Sequence, residues 1–140
     1  MIILDTNVLS ELMRPSPSER VVHWIEQHLA GDLATTAVTK AEILYGIALL
    51  PLGRRRNDLA QAAGAMFAED FEGRVFPFDT EAAAVYAVLC ADRRAAGRPI
   101  SAFDAQIAAI CIARGLTLAT RNVPDFEDCG LDLINPWEDH

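Results

Sequence analysis

Four acidic side chains stand at positions that favour metal-dependent chemistry, and the first of them is Asp5. It follows the apolar run Ile2-Ile3-Leu4, which predicts a short strand buried on both faces. Ligands of open α/β sheets bind beyond the carboxyl ends of the strands, so we expect Asp5 to lie in a binding site. The alternative is that Asp5 or Thr6 only caps a following helix, predicted over 8–13.

The second acid, Glu42, lies in an apolar helix predicted over 39–50. Helical spacing places it on one face with Tyr45, Gly46 and Leu49. We expect this face to point toward the core, which would bury the carboxylate. The alternative is a capping box over 39–42, in which Glu42 reaches back to the backbone amide of Thr39.

The third acid, Asp104, stands in the first turn of a helix predicted over 102–114. This helix is apolar nearly all round and is therefore expected to be buried, with Asp104 stacked on Ile107, Ala108 and Cys111. Burying a carboxylate costs roughly several kcal/mol unless it is paired or binds a cation. The helix dipole stabilises a carboxylate in this turn by only about 0.3–1 kcal/mol. A metal ion would account for an acid at this position.

The fourth element is a loop from Thr120, which leaves the carboxyl end of a strand predicted over 116–119. It brings Asn122 and Asp125 to the same sheet edge as Asp5, although a polar loop containing a proline is also ordinary turn chemistry.

The histidines are all remote from these acids in the sequence, and we expect surface positions for His23, His28 and His140. Oxygen ligands without histidine suit a hard cation such as Mg²⁺ or Mn²⁺ and disfavour zinc. A divalent ion would relieve the repulsion between the clustered carboxylates and activate an attacking water.

Helical patterns alternate with short apolar strands throughout the sequence. Helices are predicted over 8–13, 18–30, 39–50, 54–70, 80–96 and 102–114, and strands over 2–4, 33–36, 75–78, 116–119 and 131–134. This alternation predicts an α/β fold in which helices cover both faces of a parallel sheet. No linker or internal repeat interrupts it, so we expect one domain over 1–140.

The net charge of −8 argues against a protein coated in lysine and arginine for nonspecific binding to polyanions. Arginines do cluster at 54–56 and at 93, 94 and 98, where they either follow a phosphate backbone locally or form intramolecular ion pairs. No apolar run has the length of a membrane span and no signal peptide is evident, so we expect a cytoplasmic protein. We expect Cys90, Cys111 and Cys129 to be small core residues.

Four motifs, in order along nearly the whole chain, resemble the PIN-domain ribonuclease toxins of VapC/FitB-like type from type II toxin–antitoxin pairs. They are Leu4-Asp5-Thr6-Asn7, Thr39 with Ala41-Glu42 and Tyr45-Gly46, Ser101-Ala102-Phe103-Asp104-Ala105-Gln106-Ile107-Ala108-Ala109, and Ala119-Thr120-Arg121-Asn122 with Asp125-Phe126. The ending Asn135-Pro136-Trp137 resembles the FitB-like branch. Four motifs in order are a far more specific signal than any one of them.

The resemblance implies a three-layer α/β/α fold with a five-stranded parallel sheet and a Mg²⁺ or Mn²⁺ site formed by Asp5, Glu42 and Asp104. It also implies metal-dependent cleavage of RNA, a homodimer, and neutralisation by a cognate antitoxin, in a complex that binds operator DNA through the antitoxin. Asn122 departs from the aspartate that many members carry there. The fourth acid is therefore either lost or supplied by Asp125.

The candidate site residues follow from these motifs. The catalytic candidates are Asp5, Glu42, Asp104 and Asp125, and the metal-ligand candidates are Asp5, Glu42, Asp104 and Asn122. Thr6, Asn7, Ser101 and Thr120 are expected to orient the carboxylates. Candidate RNA contacts are Arg54, Arg98 and Arg121.

Two other functions remain open. One is a phosphatase in which Asp5 is the nucleophile, although the second acid of such a motif is Asn7 here. The other is a catalytically silent PIN-like module for binding or dimerisation. The expected antitoxin could bind in two ways at once. It could insert a basic side chain into the acidic pocket, and it could place a helix against the helices predicted over 39–50 and 54–70. Four residues of these helices either line a groove for the antitoxin or pack in the core: Tyr45, Leu49, Met66 and Phe67.

Overall fold

The computed structural model describes residues 1–138 and contains a five-stranded sheet flanked by helices. Its elements are β1 (Ile2–Leu4), α1 (Thr6–Leu12), α2 (Glu19–Glu26), β2 (Leu33–Thr36), α3 (Ala37–Ala48), α4 (Arg54–Ala65), β3 (Val75–Phe76), α5 (Thr80–Ala95), α6 (Ala102–Arg114), β4 (Thr117–Ala119), α7 (Val123–Phe126) and β5 (Leu133–Ile134). A 3₁₀ turn over Ala30–Asp32 precedes β2, and a π-helical turn over Met66–Asp70 extends α4. The prediction for His140 lies outside the described residues.

The strands are all parallel and follow the order β3-β2-β1-β4-β5. The predicted α/β class with a five-stranded parallel sheet is therefore confirmed. Strand β1 is central, with Ile3 in register with Ala34 on one side and Leu118 on the other. The chain consequently leaves β1, β2 and β4 at one common edge, where Asp5 donates its backbone N–H to the carbonyl of Ala119 at 2.9 Å.

Two apolar clusters fill the space on either side of the sheet. Ile3 packs with α5 and α6, whereas Leu4 packs with α1 to α4. Successive residues of a strand point to opposite faces, so a strand covered on both faces needs a continuous apolar run. This requirement explains why β1 could be predicted from three residues.

The structure corrects the predicted start of the third helix. α3 begins at Ala37, and its cap is Thr36, whose Oγ1 accepts the backbone N–H of Thr39 at 3.1 Å. The capping box predicted over 39–42 is therefore wrong, because Thr39 lies inside the helix. Strand β2 runs directly into α3, so one threonine both ends the strand and caps the helix.

Other boundaries differ from the predictions by a few residues. α1 begins at Thr6, two residues earlier than expected, and α2 ends at Glu26, before the expected end near 30. The predicted loop after β4 contains the short helix α7, which begins at a Val-Pro pair because proline is favoured in the first helical turn.

The three cysteines are free thiols, and Cys111 and Cys129 are buried as expected, whereas Cys90 is only partly buried. Burial raises the pKa of the Cys111 thiol to about 12, which keeps it protonated and unreactive. Within residues 1–138, no helix combines the length and the apolar character that a membrane crossing requires.

Candidate active site

Asp5 occupies the N-cap of α1 and is only 4% exposed. Its Oδ1 accepts the backbone N–H of Thr6 at 2.8 Å, and its Oδ2 accepts the hydroxyl of Thr120 at 2.8 Å. Asp5 therefore caps a helix, and it also lies at the carboxyl edge of the sheet, where we expect a binding site.

The pKa of Asp5 is raised from 3.8 to about 6. Burial is the largest cause, and the charges of Asp104 and Glu42 raise the pKa further. Hydrogen bonds from Thr120 and the Thr6 amide act in the opposite direction. Glu42 and Asp104 are thus each close enough to Asp5 for their charges to act on its carboxylate.

Thr6 connects Asp5 to Glu42. Its hydroxyl donates to Glu42 Oε1 at 2.9 Å and lies 3.1 Å from the Thr39 hydroxyl. Because a threonine has a single hydroxyl proton, Thr6 donates to the carboxylate and accepts from Thr39. This chain of hydrogen bonds fixes one Glu42 oxygen.

The predicted orientation of the Glu42 face is wrong. Tyr45 and Leu49 are each 66% exposed, and Gly46 is also exposed. The buried face of α3 instead carries Val38, Thr39, Ile43 and Ile47. Glu42 is partly buried at the boundary between the two faces. Its side chain therefore reaches the site from the edge of the buried face of α3 and not from the core.

Asp104 lies in the first turn of α6 and is partly buried, so the expectation of a fully buried position is also wrong. Ser101 caps the helix by accepting the backbone N–H of Asp104 at 3.2 Å. Burial is the main cause that raises the pKa of Asp104, and the charge of Asp125 raises it further. A hydrogen bond with Ser101 acts in the opposite direction and lowers this pKa. The charge of Asp125 therefore acts on Asp104, as the charge of Asp104 acts on Asp5.

Thr120 organises the loop after β4. While its hydroxyl donates to Asp5, its oxygen accepts from Asn7 Nδ2 at 3.2 Å and from the backbone N–H of Asn122 at 3.1 Å. Asn7 Nδ2 also contacts Asp5 Oδ2 at 3.4 Å, and Asn7 Oδ1 accepts the backbone N–H of Arg121 at 3.2 Å. The four polar residues expected to orient the acids therefore all contact an acid or the segment that carries one.

An open groove of about 830 Å³ extends from Glu42 and Thr6 toward the start of α4. Arg54 and Arg55 line its far end, and its apolar lining comes from Ile43, Gly46, Ile47, Leu50 and Leu59. The side chains predicted for an antitoxin groove lie elsewhere. Phe67 is buried in the core and Met66 packs against it, while Tyr45 and Leu49 are exposed outside the groove lining.

The three candidate RNA-binding arginines occupy separate places. Arg54 lies in the groove and is 3.9 Å from Asp58. Arg121 packs over the ring of Trp137, 5.0 Å from its centre, immediately after the site residue Thr120. Arg98 binds Asp128 at 2.6 Å in a different cavity, so the structure does not bring it to the groove.

Sequence reasoning missed two buried residues of this region, Thr39 and Arg93. Thr39 was assigned to a cap, and Arg93 was grouped with arginines expected to bind phosphates or to form ion pairs. A signal for Arg93 does exist, because it follows the buried Leu89 by four residues on α5 and so shares its face.

The donor set suits a hard divalent cation, since it consists of carboxylate oxygens supported by hydroxyl and amide groups. No basic side chain of residues 1–138 lowers the pKa of Asp5, so the protein itself leaves the local negative charge uncompensated. Within the same residues, no three Asp, Glu, His or Cys side chains converge closely enough to enclose a metal ion. As they stand, the acids of the described residues are therefore not arranged as a formed metal site.

A family model described as the PIN domain matches residues 2–128. The chain belongs to the PIN-domain family. It is a VapC/FitB-like member, 41% identical to "VapC ribonuclease Y4jK" of Sinorhizobium fredii over 99% of both chains. It is also 40% identical to "Toxin FitB" of Neisseria gonorrhoeae, over 99% of this chain and 100% of the relative. This PIN domain superposes with a TM-score of 0.94 on a chain of FitAB bound to an IR36 DNA fragment, at 38% identity, covering 100% of this chain and 98% of the other.

Proposed function

We propose that this PIN domain is a Mg²⁺- or Mn²⁺-dependent endoribonuclease and the toxin of a type II toxin–antitoxin pair. The observation that carries the proposal is the buried carboxylate of Asp5, whose pKa is raised to about 6 by burial and by two neighbouring acids. The relatives named as a VapC ribonuclease and as toxin FitB support the reaction and the biological role.

Asp5, Glu42 and Asp104 would hold the cation. When bound, a divalent ion supplies positive charge to a phosphate oxygen and lowers the pKa of an attacking water. The chain's own residues orient the acids: Thr6 and Thr120 fix one oxygen each of Glu42 and Asp5, and Ser101 caps α6, whose first turn carries Asp104.

We assign the fourth acidic position to Asp125 and not to Asn122. The charge of Asp125 acts on Asp104, which raises the pKa of Asp104. Asn122 is exposed and contributes its backbone N–H to Thr120. We propose that Asn122 shapes the start of α7 and that Asp125 would face the substrate or the cation.

Single-stranded RNA would lie along the groove between the acids and α4. Arg54 lines the far end of this groove, and Arg121 adjoins Thr120, so both can bind phosphates on either side of the cleaved bond. Arg98 is paired with Asp128 in another cavity, and we leave it out of the RNA-binding surface.

The proposed partners are a cognate antitoxin and a second copy of the chain, in the cytoplasm of a bacterium. The solved FitAB structure bound to DNA supports a complex in which the antitoxin contacts operator DNA. In this chain, an antitoxin helix fits the apolar groove lined by Ile43, Ile47 and Leu59, and a basic side chain at its end would meet Glu42.

The deciding experiment incubates purified protein, free of any partner, with total cellular RNA and Mg²⁺, Mn²⁺ or EDTA. Asp5→Asn and Asp104→Asn test the site, and Glu26→Gln, an exposed acid on α2, is the matched control. We expect discrete fragments only with metal, from the wild type and from Glu26→Gln. Metal-dependent cleavage that survives Asp5→Asn refutes the proposal. A folded protein that binds Mn²⁺ but cuts no RNA indicates a binding module instead.

A further inference from the structure

Arg93, on the buried face of α5, is only 7% exposed. Its Nε donates to the carbonyl of Arg98 at 2.7 Å, and its Nη1 donates to the carbonyl of Glu127 at 2.6 Å. Nη2 reaches the carbonyl of Asp125 at 3.3 Å, and the Cys129 sulfur accepts from Nη1 at 3.3 Å. This buried guanidinium thus binds backbone carbonyls and a thiol, and no carboxylate is among these partners.

A buried cation without an anionic partner is costly unless its N–H groups are satisfied. The planar guanidinium meets this requirement because its donors point in several fixed directions at once. The Asp125 and Glu127 carbonyls lie at the end of α7, where the last carbonyls of a helix lack partners within the helix. Arg93 therefore satisfies the end of α7 and holds the segment that follows.

The Arg98 carbonyl belongs to a different segment, the turn between α5 and α6. Three residues later Ser101 caps α6, and Asp104 lies in the first turn of this helix. A single side chain thus connects the segment that carries Asp125 to the turn that leads to Asp104. Without a cation these two carboxylates repel each other, so something in the protein must hold the two segments together.

We infer that Arg93 is a positioning residue that holds the Asp125 segment against the start of α6, so that both acids face the same cation. This inference rests on the proposed metal-dependent function. It adds a role for a side chain that contacts neither RNA nor metal.

The test compares Arg93→Met with Arg94→Met, the same substitution at the exposed neighbouring position of α5. Mn²⁺ affinity is measured from free Mn²⁺ by electron paramagnetic resonance, and hydrogen exchange of residues 122–130 is followed in EDTA. We expect Arg93→Met to weaken Mn²⁺ binding by about tenfold or more and to speed exchange in this segment. Arg94→Met should stay within about twofold of the wild type for both measurements.

A double-mutant cycle with Asp125→Asn separates positioning from general stability. If Arg93 acts through Asp125, Arg93→Met should change Mn²⁺ affinity by less than about twofold once Asp125 is replaced. An equal loss in both backgrounds overturns the inference. Should Arg93→Met fail to fold, Arg93→Lys is used in the same cycle, since it keeps the charge but loses the planar set of donors, and it should show the same dependence on Asp125.

Different results would refute the proposed metal site and the proposed role of Arg93. If Asp5→Asn and Asp125→Asn weaken Mn²⁺ binding but both Arg93 variants bind like the wild type, only the role of Arg93 is refuted. If Asp5→Asn binds Mn²⁺ as tightly as the wild type, the metal site itself is wrong, and the inference about Arg93 falls with it.

Discussion

Replacing Asp5 with asparagine should stabilise the metal-free protein while removing its response to metal. Asp5 is nearly inaccessible to water, and its carboxylate lies near two other acids. Raising its pKa from 3.8 to about 6 makes the ionised form about 3 kcal/mol less favourable in the folded than in the unfolded protein. Asparagine removes this charge and still accepts the Thr6 amide as a helix cap.

The substitution also has a cost, which lowers the expected gain. The Thr120 hydroxyl donates to Asp5 Oδ2, and an amide N–H₂ at that position cannot accept its proton. Losing one such hydrogen bond costs about 1 kcal/mol. The net gain at pH 7 is therefore about 1–2 kcal/mol, which raises the Tm of a chain of this length by roughly 3–8 °C.

The pH dependence follows from the direction of the pKa change. Below pH 3.8 the carboxyl group is neutral in both the folded and the unfolded protein, so its pKa difference contributes nothing. Between pH 4 and about 6 the unfolded protein loses its proton first, and the folded wild type loses stability as the pH rises. The charge-related gain of Asp5→Asn should therefore be small near pH 4, where the lost Thr120 hydrogen bond outweighs it, and should reach its full size by pH 7.

Urea denaturation in EDTA at pH 4, 5, 6 and 7 measures this difference directly, and a thermal melt with added Mg²⁺ measures the response to metal. Mg²⁺ should raise the Tm of the wild type and leave that of Asp5→Asn unchanged. An Asp5→Asn protein that is no more stable than the wild type at pH 7 in EDTA would show that Asp5 carries no electrostatic cost, and the reasoning would be wrong.

Three further substitutions test the surroundings of the site. Thr120→Val removes the hydroxyl bound to Asp5, which should raise the pKa of Asp5 further and weaken Mn²⁺ binding by about tenfold, with Thr120→Ser close to the wild type in the same titration. Thr6→Val releases Glu42 and should lower kcat about tenfold in the RNA cleavage assay, whereas equal rates for Thr6→Val and Thr6→Ser would exclude this role. Gly115 ends α6 at φ 66°, so Gly115→Ala should cost about 1–2 kcal/mol in urea denaturation, and an unchanged midpoint would contradict that strain.

The sheet could be predicted because its central strands are covered on both faces. Ile2-Ile3-Leu4 and Leu118-Ala119 have no polar residue to place in water, and each run is too short for a helix. The same pattern predicted which edge of the sheet carries the site, because the residues that follow parallel strands all lie at the same edge of the sheet. Asp5 and Thr120 were therefore expected together, and they form a hydrogen bond.

The sequence could not show which face of α3 is buried, because this helix is apolar on most of its surface. Tyr45 and Leu49 are large side chains with mostly apolar surfaces, as Ile43 and Ile47 are, so helical spacing alone does not distinguish the exposed from the buried face. The start of α3 was missed for a related reason. Thr36 and Thr39 are equally good caps by residue type, and only the direct passage from β2 into α3 selects Thr36.

Neutral groups of the protein hold the acids of the site in place. This arrangement links the proposed RNA cleavage to the proposed inhibition by an antitoxin. Hydroxyls, amides and backbone N–H groups hold Asp5 and Glu42, while the buried guanidinium of Arg93 binds the carbonyls of the Asp125 segment and not its carboxylate. An arginine paired directly with Asp5 would stabilise the fold by lowering the pKa of Asp5, but it would also occupy the place of the cation. Because the negative charge is left uncompensated, we expect the site to bind either a divalent ion or a basic side chain from an antitoxin. The same electrostatic cost that makes Asp5 destabilising in the metal-free protein therefore favours the binding of both.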